Sequence, residues 1–403
     1  MTIKRLNCDV AIFGGGVAGL WLLSRLRQQG YQAILFENQA LGAGQTRFAQ
    51  GIIHGGTKYA LLGKITASSE SISSMPKLWR DCIAGQGQLD LTPVKVLSTN
   101  QCMWSNNALS SKMAGFFASK LMRSRTEELK QTNRPITFQD KNFKGKVYNL
   151  DEPVLDTASI VRSLAGLNPD AIMYIKSLQC KNNDSLKYTV EDVEGTHWQV
   201  TTQKTVLMAG QGNKALLNIL TDKTQISQQP DMQLRPLKMV MLRGDLPEKI
   251  YAHCLEVNVN PRLTITSHED SHGEIVWYMG GQIAEEGIER SDSEQISFAR
   301  KELDELMPWL DFSKAQWACI DINRAEPKID KGKRPDTSFF AEQFNIITAW
   351  PTKLALAPRL ANDIESHLKN SHVNASGLTP LDKFIRPDIA QLPWLEESRW
   401  RQQ

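Results

Sequence analysis

Gly14-Gly15-Gly16-Val17-Ala18-Gly19 is the first stretch whose residue types and spacing could do chemistry: it reads G-x-G-x-x-G. In a strand–turn–helix setting, Gly14 allows a tight turn, Gly16 lets backbone approach a pyrophosphate, and Gly19 lets the helix pack closely. The helix start then offers free N–H groups and a positive dipole end to the phosphates. Glu37 follows at the distance where a carboxylate takes ribose hydroxyls, and its charge disfavours a 2′-phosphate, hence NADP. The bland alternative is a merely tight strand–helix turn. The motif by itself does not tell one dinucleotide from another.

The elements around it have the expected form. Cys8–Phe13 is a short apolar run that reads as a buried parallel strand. Leu20–Gln29 has apolar residues at helical spacing and stops at Gly30, and Gln32–Phe36 reads as a second strand. Further along, the sequence predicts helices over 68–81, 112–130, 154–164, 293–307 and 354–368. It predicts strands over 91–98, 171–178, 205–209 and 344–349, and a hairpin over 187–202. The stretch 237–281 is strongly β in pattern. The helix 112–130 carries Met113, Phe116, Phe117 and Leu121 on one face, which suits packing on its own protein or a membrane-surface or partner contact.

A second glycine-rich stretch narrows the chemistry. Gly42-Ala43-Gly44-Gln45-Thr46-Arg47 is followed by Gln50-Gly51-Ile52-Ile53-His54-Gly55-Gly56-Thr57-Lys58-Tyr59. These residues resemble the flavin-contacting segment of the D-amino-acid oxidase-like superfamily, and most closely the FAD-dependent glycerol-3-phosphate dehydrogenases. In those, a small-residue turn leads through a helix into His-Gly-Gly-x-Arg/Lys-Tyr. Leu207 to Asn213, with Ala209 and Gly210, resembles the superfamily's later strand-to-glycine turn. Gly332-Lys333-Arg334-Pro335 and Thr348–Pro358 resemble its C-terminal half-motif, in which helix-start N–H groups at Thr352, Lys353 and Leu354 face the flavin. This chain departs from the pattern with Lys58 where Arg is common, and with Trp350 and Pro351 where glycines are common. It also lacks the C-terminal helical cap of many members.

The resemblance implies FAD as cofactor and an α/β fold. A Rossmann-like FAD-binding domain is assembled from segments 1–80, 145–222 and 325–370. An α+β substrate domain with a mainly antiparallel sheet takes 81–144 and 223–324, and a tail covers 371–403. The cofactor-binding set is Gly14, Gly16, Val17, Ala18, Gly19, Glu37, Gly44, Gln45, Thr46, Gly51, Ile53, Ala209, Gly210, Thr352, Lys353 and Leu354. The implied reaction moves a hydride from a CH–OH carbon of a small anionic substrate, of glycerol 3-phosphate or 2-hydroxy-acid type, to flavin N5. His54 is the candidate base for the O–H proton, or else a structural histidine anchoring its loop. Lys58, Tyr59, Arg334 and Lys353 complete the candidate catalytic set, and Arg262, Arg324 and Tyr278 are further candidates to meet substrate. His253 and His268 read first as structural. An amine or amino-acid oxidase, an NAD-dependent dehydrogenase and a non-catalytic flavin-binding subunit stand as alternatives. The electron acceptor is oxygen, a quinone or a partner protein.

Bulk properties bound these readings. The chain has 403 residues and a net charge of +3, which calls for no nucleic-acid partner. It contains no apolar run long enough to span a membrane and no signal-peptide pattern, so a cytoplasmic protein is expected. Peripheral contact at the inner face of the membrane stays open, through the 112–130 helix or the tail with Trp394 and Trp400. The six cysteines are widely spaced and read as reduced thiols, with no metal site.

Overall fold

The computed structural model describes residues 3–56, 72–105, 126–180, 184–222, 230–255, 261–329 and 337–400. In chain order, β1 (Ile3–Phe13), α1 (Val17–Gln28) and β2 (Ala33–Glu37) form the expected strand–helix–strand unit. Then come α2 (Met75–Ile83), β3 (Val96–Ser98), β4 (Gln101–Ser105), β5 (Thr126–Glu128), β6 (Lys146–Leu150), β7 (Val154–Leu155) and α3 (Thr157–Leu167). A meander of β8 (Ile172–Gln179), β9 (Lys187–Asp192) and β10 (His197–Leu207) leads into α4 (Asn213–Leu220). The later half holds β11 (Met232–Arg243), β12 (Ala252–Cys254), β13 (Leu263–Glu269), β14 (Ile275–Gly280), α5 (Gln282–Glu286) and α6 (Asp292–Leu306). The last elements are β15 (Gln316–Pro327), β16 (Phe339–Gln343), β17 (Ile346–Trp350) and α7 (Ala357–Asn370).

Two sheets result. In the seven-stranded one, β1 lies parallel to both β2 and β10, and β17 lies parallel to β10. The carboxyl ends of these four strands therefore share one edge, where open α/β sheets bind ligands. The meander closes the other end into a ring, because β8 pairs with β2 and β9 pairs with both β8 and β10. Phe13, Phe36, Tyr188, Trp198 and Val200 share the core of that ring. A second core, with Trp21, Ile160 and Leu360 from the helices, covers the parallel strands, and Trp21 meets Trp79 edge-on at 4.7 Å.

The eight-stranded sheet has the order β15-β11-β14-β13-β12-β4-β6-β5. Every neighbouring pair is antiparallel except β12 with β4. Its core joins Trp104, Trp277 and Trp317 to Ile296 and Leu303 of α6, a helix opened by a Ser291–Glu294 capping box.

Several expectations shift. The 154–164 helix begins instead at Thr157, because Val154–Leu155 pairs with β3 and Asp156 caps the helix by accepting from the Ser159 amide. The 91–98 strand shrinks to Val96–Ser98. The 68–81 helix is described from Ile72 and runs as α2, with Pro76 in its first turn. The 354–368 helix starts with a 3-10 turn before α7. Residues 112–125 lie outside the described residues, while 126–128 form β5. The strand β15 extends the antiparallel sheet beyond the β-patterned stretch 237–281.

The tail does more than cover the surface. Leu41 pairs in parallel with Ile389, and Trp394 is 2% exposed, stacked on His268 at 3.7 Å. Trp394 is therefore inside the protein and not presented to a membrane. None of the six cysteines forms a disulfide; burial pushes the Cys8 and Cys102 thiols up to about 12. Among the described residues no helix is long and apolar enough to cross a membrane, and no group of side chains is set to hold a metal ion.

Candidate functional site

A cleft of about 980 Å³ opens at the carboxyl ends of β1, β2, β10 and β17 and is roofed by β11, β13, β14 and β15. At one end, Gly14 turns the chain out of β1 with φ of 117°, and a Cβ there would sit 2.6 Å from the backbone of Met208. Gly19 packs α1 onto this turn: a Cβ would fall 2.0 Å from the Gly14 carbonyl oxygen. The first turn of α1 has no acidic residue, and the Val17 amide donates to Thr46 Oγ1 at 3.3 Å. Its positive end faces the cleft, as a pyrophosphate site requires. Glu37, at the end of β2, accepts from the Gly15 amide at 2.6 Å and from the Asn38 and Gln39 amides at 2.8 and 2.9 Å. The carboxylate is thereby fixed at the cleft mouth, with lone pairs to spare for hydroxyls.

The wall beyond is built by long-range pairings. Asn213, wholly buried, accepts from the Ala209 amide at 2.8 Å and donates to the Ala349 carbonyl at 3.2 Å, tying the ends of β10 and β17 together. Trp350 donates from Nε1 to the Gly210 carbonyl at 3.2 Å. Thr352 takes a positive φ of 62° beside Lys353 and the turn that precedes α7. Gln50 crosses to the roof, donating from Nε2 to the carbonyls of Tyr278 and Thr264 at 3.1 and 3.3 Å.

A charged cluster lines the same cleft. His54 Nδ1 lies 3.4 Å from Glu152 Oε2. Glu152 is 4% exposed and accepts from the Gly55 amide at 2.7 Å and from Gln101 Nε2 at 2.6 Å. Burial acts most strongly on this carboxyl and would raise it. The His54 hydrogen bond and charge, the Gly55 amide and the His253 charge together hold it down at about 2. The His253 ring stacks on His54 at 5.7 Å and its Nδ1 meets Thr264 Oγ1 at 2.8 Å. The arrangement sets a buried carboxylate beside an imidazole, the kind of pair that proton-transfer sites use.

Most of the predicted residues meet here. Gly14, Gly16, Val17, Ala18, Glu37, Gly44, Gln45, Thr46, Gly51, His54, Ala209, Gly210, Thr352, Lys353 and Leu354 all line the cleft. Gly19 sits behind the turn, and Ile53 is fully buried in the core while Ile52 lines the wall. Lys58, Tyr59 and Arg334 lie outside the described residues. Arg324, a further candidate to meet substrate, lines the cleft from β15. Arg262 does not line it: its guanidinium is paired with Glu302 at 2.5 Å and Glu305 at 3.0 Å. Tyr278 is fully buried and donates its hydroxyl to the Phe48 carbonyl at 3.0 Å, a structural role. His268 is buried too, and burial drives it down to about 3. Gln50, Glu152 and His253 also line the cleft. Glu152 lies in an ordinary Asp-Glu-Pro turn and carries no local signal of its pairing with His54.

Comparison with known proteins agrees with this geometry. A family model described as FAD dependent oxidoreductase (DAO) matches residues 9–348. The chain is 43% identical over 392 residues to a probable FAD-dependent oxidoreductase, PA4991, of Pseudomonas aeruginosa, covering 97% of this chain and 98% of the relative. The crystal structure of that protein superposes with a TM-score of 0.83, covering 98% of this chain and 99% of that one at 38% identity. Two more distant structures share the fold. Glycine oxidase from Geobacillus kaustophilus has a TM-score of 0.63 at 12% identity, covering 94% of this chain and 97% of its own. L-α-glycerophosphate oxidase from Mycoplasma pneumoniae, solved with FAD bound, has 0.63 at 14%, covering 96% and 100%.

Proposed function

Because this chain belongs to the DAO family of FAD-dependent oxidoreductases, and is therefore an enzyme that uses FAD, we propose that it oxidises the CH–OH carbon of a small anionic substrate of glycerol 3-phosphate or 2-hydroxy-acid type. FAD in the cleft supplies the two-electron acceptor. We assign its ADP half to Gly14–Ala18 and Glu37, and its ring to the wall formed by Gly44–Thr46, Gly51 and Thr352–Leu354. In this reading the seven-stranded sheet carries the cofactor and the eight-stranded sheet closes over the substrate.

The observation that carries the proposal is the His54–Glu152 pair. An ionised carboxylate only accepts, so His54 donates its Nδ1 proton toward Glu152 Oε2, 3.4 Å away. That leaves the Nε2 lone pair to take the substrate hydroxyl proton. Glu152 then lies beside the imidazolium and offsets its charge. We assign the substrate anion to Lys353 and Arg324, which line the same cleft, and to Lys58, Tyr59 and Arg334 on the strength of the motif.

The test is anaerobic reduction of the purified flavoprotein, followed in the visible spectrum, with glycerol 3-phosphate, 2-hydroxy acids and amino acids in turn. Bleaching by one hydroxy anion is expected. Bleaching by amino acids alone would overturn the CH–OH reading. His54→Gln should slow bleaching by roughly 10²–10⁴-fold, the usual share of a general base. Hydrogen peroxide release in air tests oxygen as acceptor against a quinone or protein.

A further inference from the structure

We infer that the C-terminal tail positions the loop that binds FAD, with Glu396 as its positioning residue. The inference rests on FAD lying in the cleft as proposed above. The loop Leu41–Phe48 contributes Gly44, Gln45 and Thr46 to the cleft wall. Leu41 at its start is fully buried and bridges Ile389 of the tail, but the 3-10 turn Gln45–Phe48 that follows has no buried residue. A turn with no buried residue takes its place from its neighbours.

On the cleft side, Thr46 Oγ1 accepts from the Val17 amide at 3.3 Å and Gln45 Nε2 donates to the Ala325 carbonyl at 3.3 Å. On the far side the tail holds it. The Leu41 amide donates to the Asp388 carbonyl at 2.7 Å, and the Ala390 amide to the Leu41 carbonyl at 2.9 Å. Arg47, next to Thr46, is ion-paired with Glu396, and both side chains are about four-fifths buried. Glu396 is itself held by Arg399 Nε at 2.5 Å. Phe48 packs on the small core that contains Trp394.

The adjacent acid points elsewhere. Glu397 accepts from Arg243 Nη1 and Nη2 at 3.0 and 2.8 Å and from Ser271 Oγ at 2.6 Å. Those partners sit on β11 and in the turn between β13 and β14, and none belongs to the loop. Two neighbouring carboxylates thus separate two roles. Glu397 fastens the tail to the eight-stranded sheet, and Glu396 fastens the loop to the tail.

The experiment compares Glu396→Gln and Glu397→Gln in the full chain, titrating apoprotein with FAD by flavin fluorescence. Loss of a partly buried, charge-assisted hydrogen bond at Glu396 should raise the FAD Kd on the order of tenfold. It should also shift the visible spectrum of the bound flavin. Glu396→Asp should recover part of the affinity. Glu397→Gln should lower the melting temperature of the apoprotein and leave the Kd unchanged. Wild-type affinity in Glu396→Gln overturns the inference. So does an equal loss in both variants, because the tail would then act through overall stability alone. A wild-type protein that takes up FAD outside this cleft, seen as undiminished binding when Gly16 is replaced by a bulky residue, would instead overturn the placement on which the inference rests.

Discussion

Glu152 is a buried carboxylate that stays ionised only because of its neighbours. Burial would raise it, yet His54, the Gly55 amide and His253 bring it to about 2. Its folded-state value is below that of an unfolded chain, so its ionisation adds stability above the ordinary carboxylate range near 4.3. That stability drains away as pH falls toward 2. His54→Gln removes the largest stabilising partner, so the carboxyl rises and the acid-unfolding midpoint moves to higher pH. An acid transition identical to wild type, followed by circular dichroism, would show that His54 does not hold Glu152. His54 was legible in the sequence because its motif keeps order over six residues. Glu152 was not, because it meets the His54–Gly55 loop across 97 residues of chain, and no local pattern encodes that meeting.

The same limit operates on whole elements. The strand Gln316–Pro327 carries Asp321, Asn323, Arg324 and Glu326, polar residues that obscure its strand pattern. The inward positions Ile320 and Ile322 alternate with the exposed Asp321 and Asn323, so a period of two was present but short. Its twelve-residue pairing with β11 supplies what the pattern lacked. The tail shows the opposite case: its Trp394 was a candidate for membrane contact, whereas it closes a core with His268 and Tyr278. Trp394→Ala should cost about 3–5 kcal/mol at neutral pH. His268 is held at about 3 by burial, below an ordinary histidine value near 6.5, so the unfolded chain binds the extra proton between those values. Native stability therefore falls as pH drops from about 6.5 toward 3. Opening His268 to water in Trp394→Ala lets it take that proton while folded, so the gap between variant and wild type should narrow on acidification. Urea unfolding at pH 7 and pH 4.5 measures this, and a gap that stays constant would mean His268 is not shielded by Trp394.

At the scale of the molecule, the cleft joins two bodies with separate cores. Recurring buried-strand runs made the first sheet legible from separated segments, and the β-rich middle of the chain made the second. Which strand ends would face each other was not legible, since parallel neighbours such as β1 and β10 are set by long-range register. The consequence is thermodynamic. The floor of the cleft comes from Gly14–Ala18 and Ala209–Gly212, and the roof from Met239, Thr264, Gly280 and Arg324. A ligand that touches both raises the free energy of opening for each sheet by the same linkage, about 2.7 kcal/mol at a hundredfold excess over Kd. Hydrogen exchange of apoprotein with and without FAD reads this directly. Amides of β1 and of the β11–β15 pair should gain protection together and by similar amounts. Protection confined to β1 would mean that FAD rests on the seven-stranded sheet alone, and that closure over the substrate depends on the substrate itself.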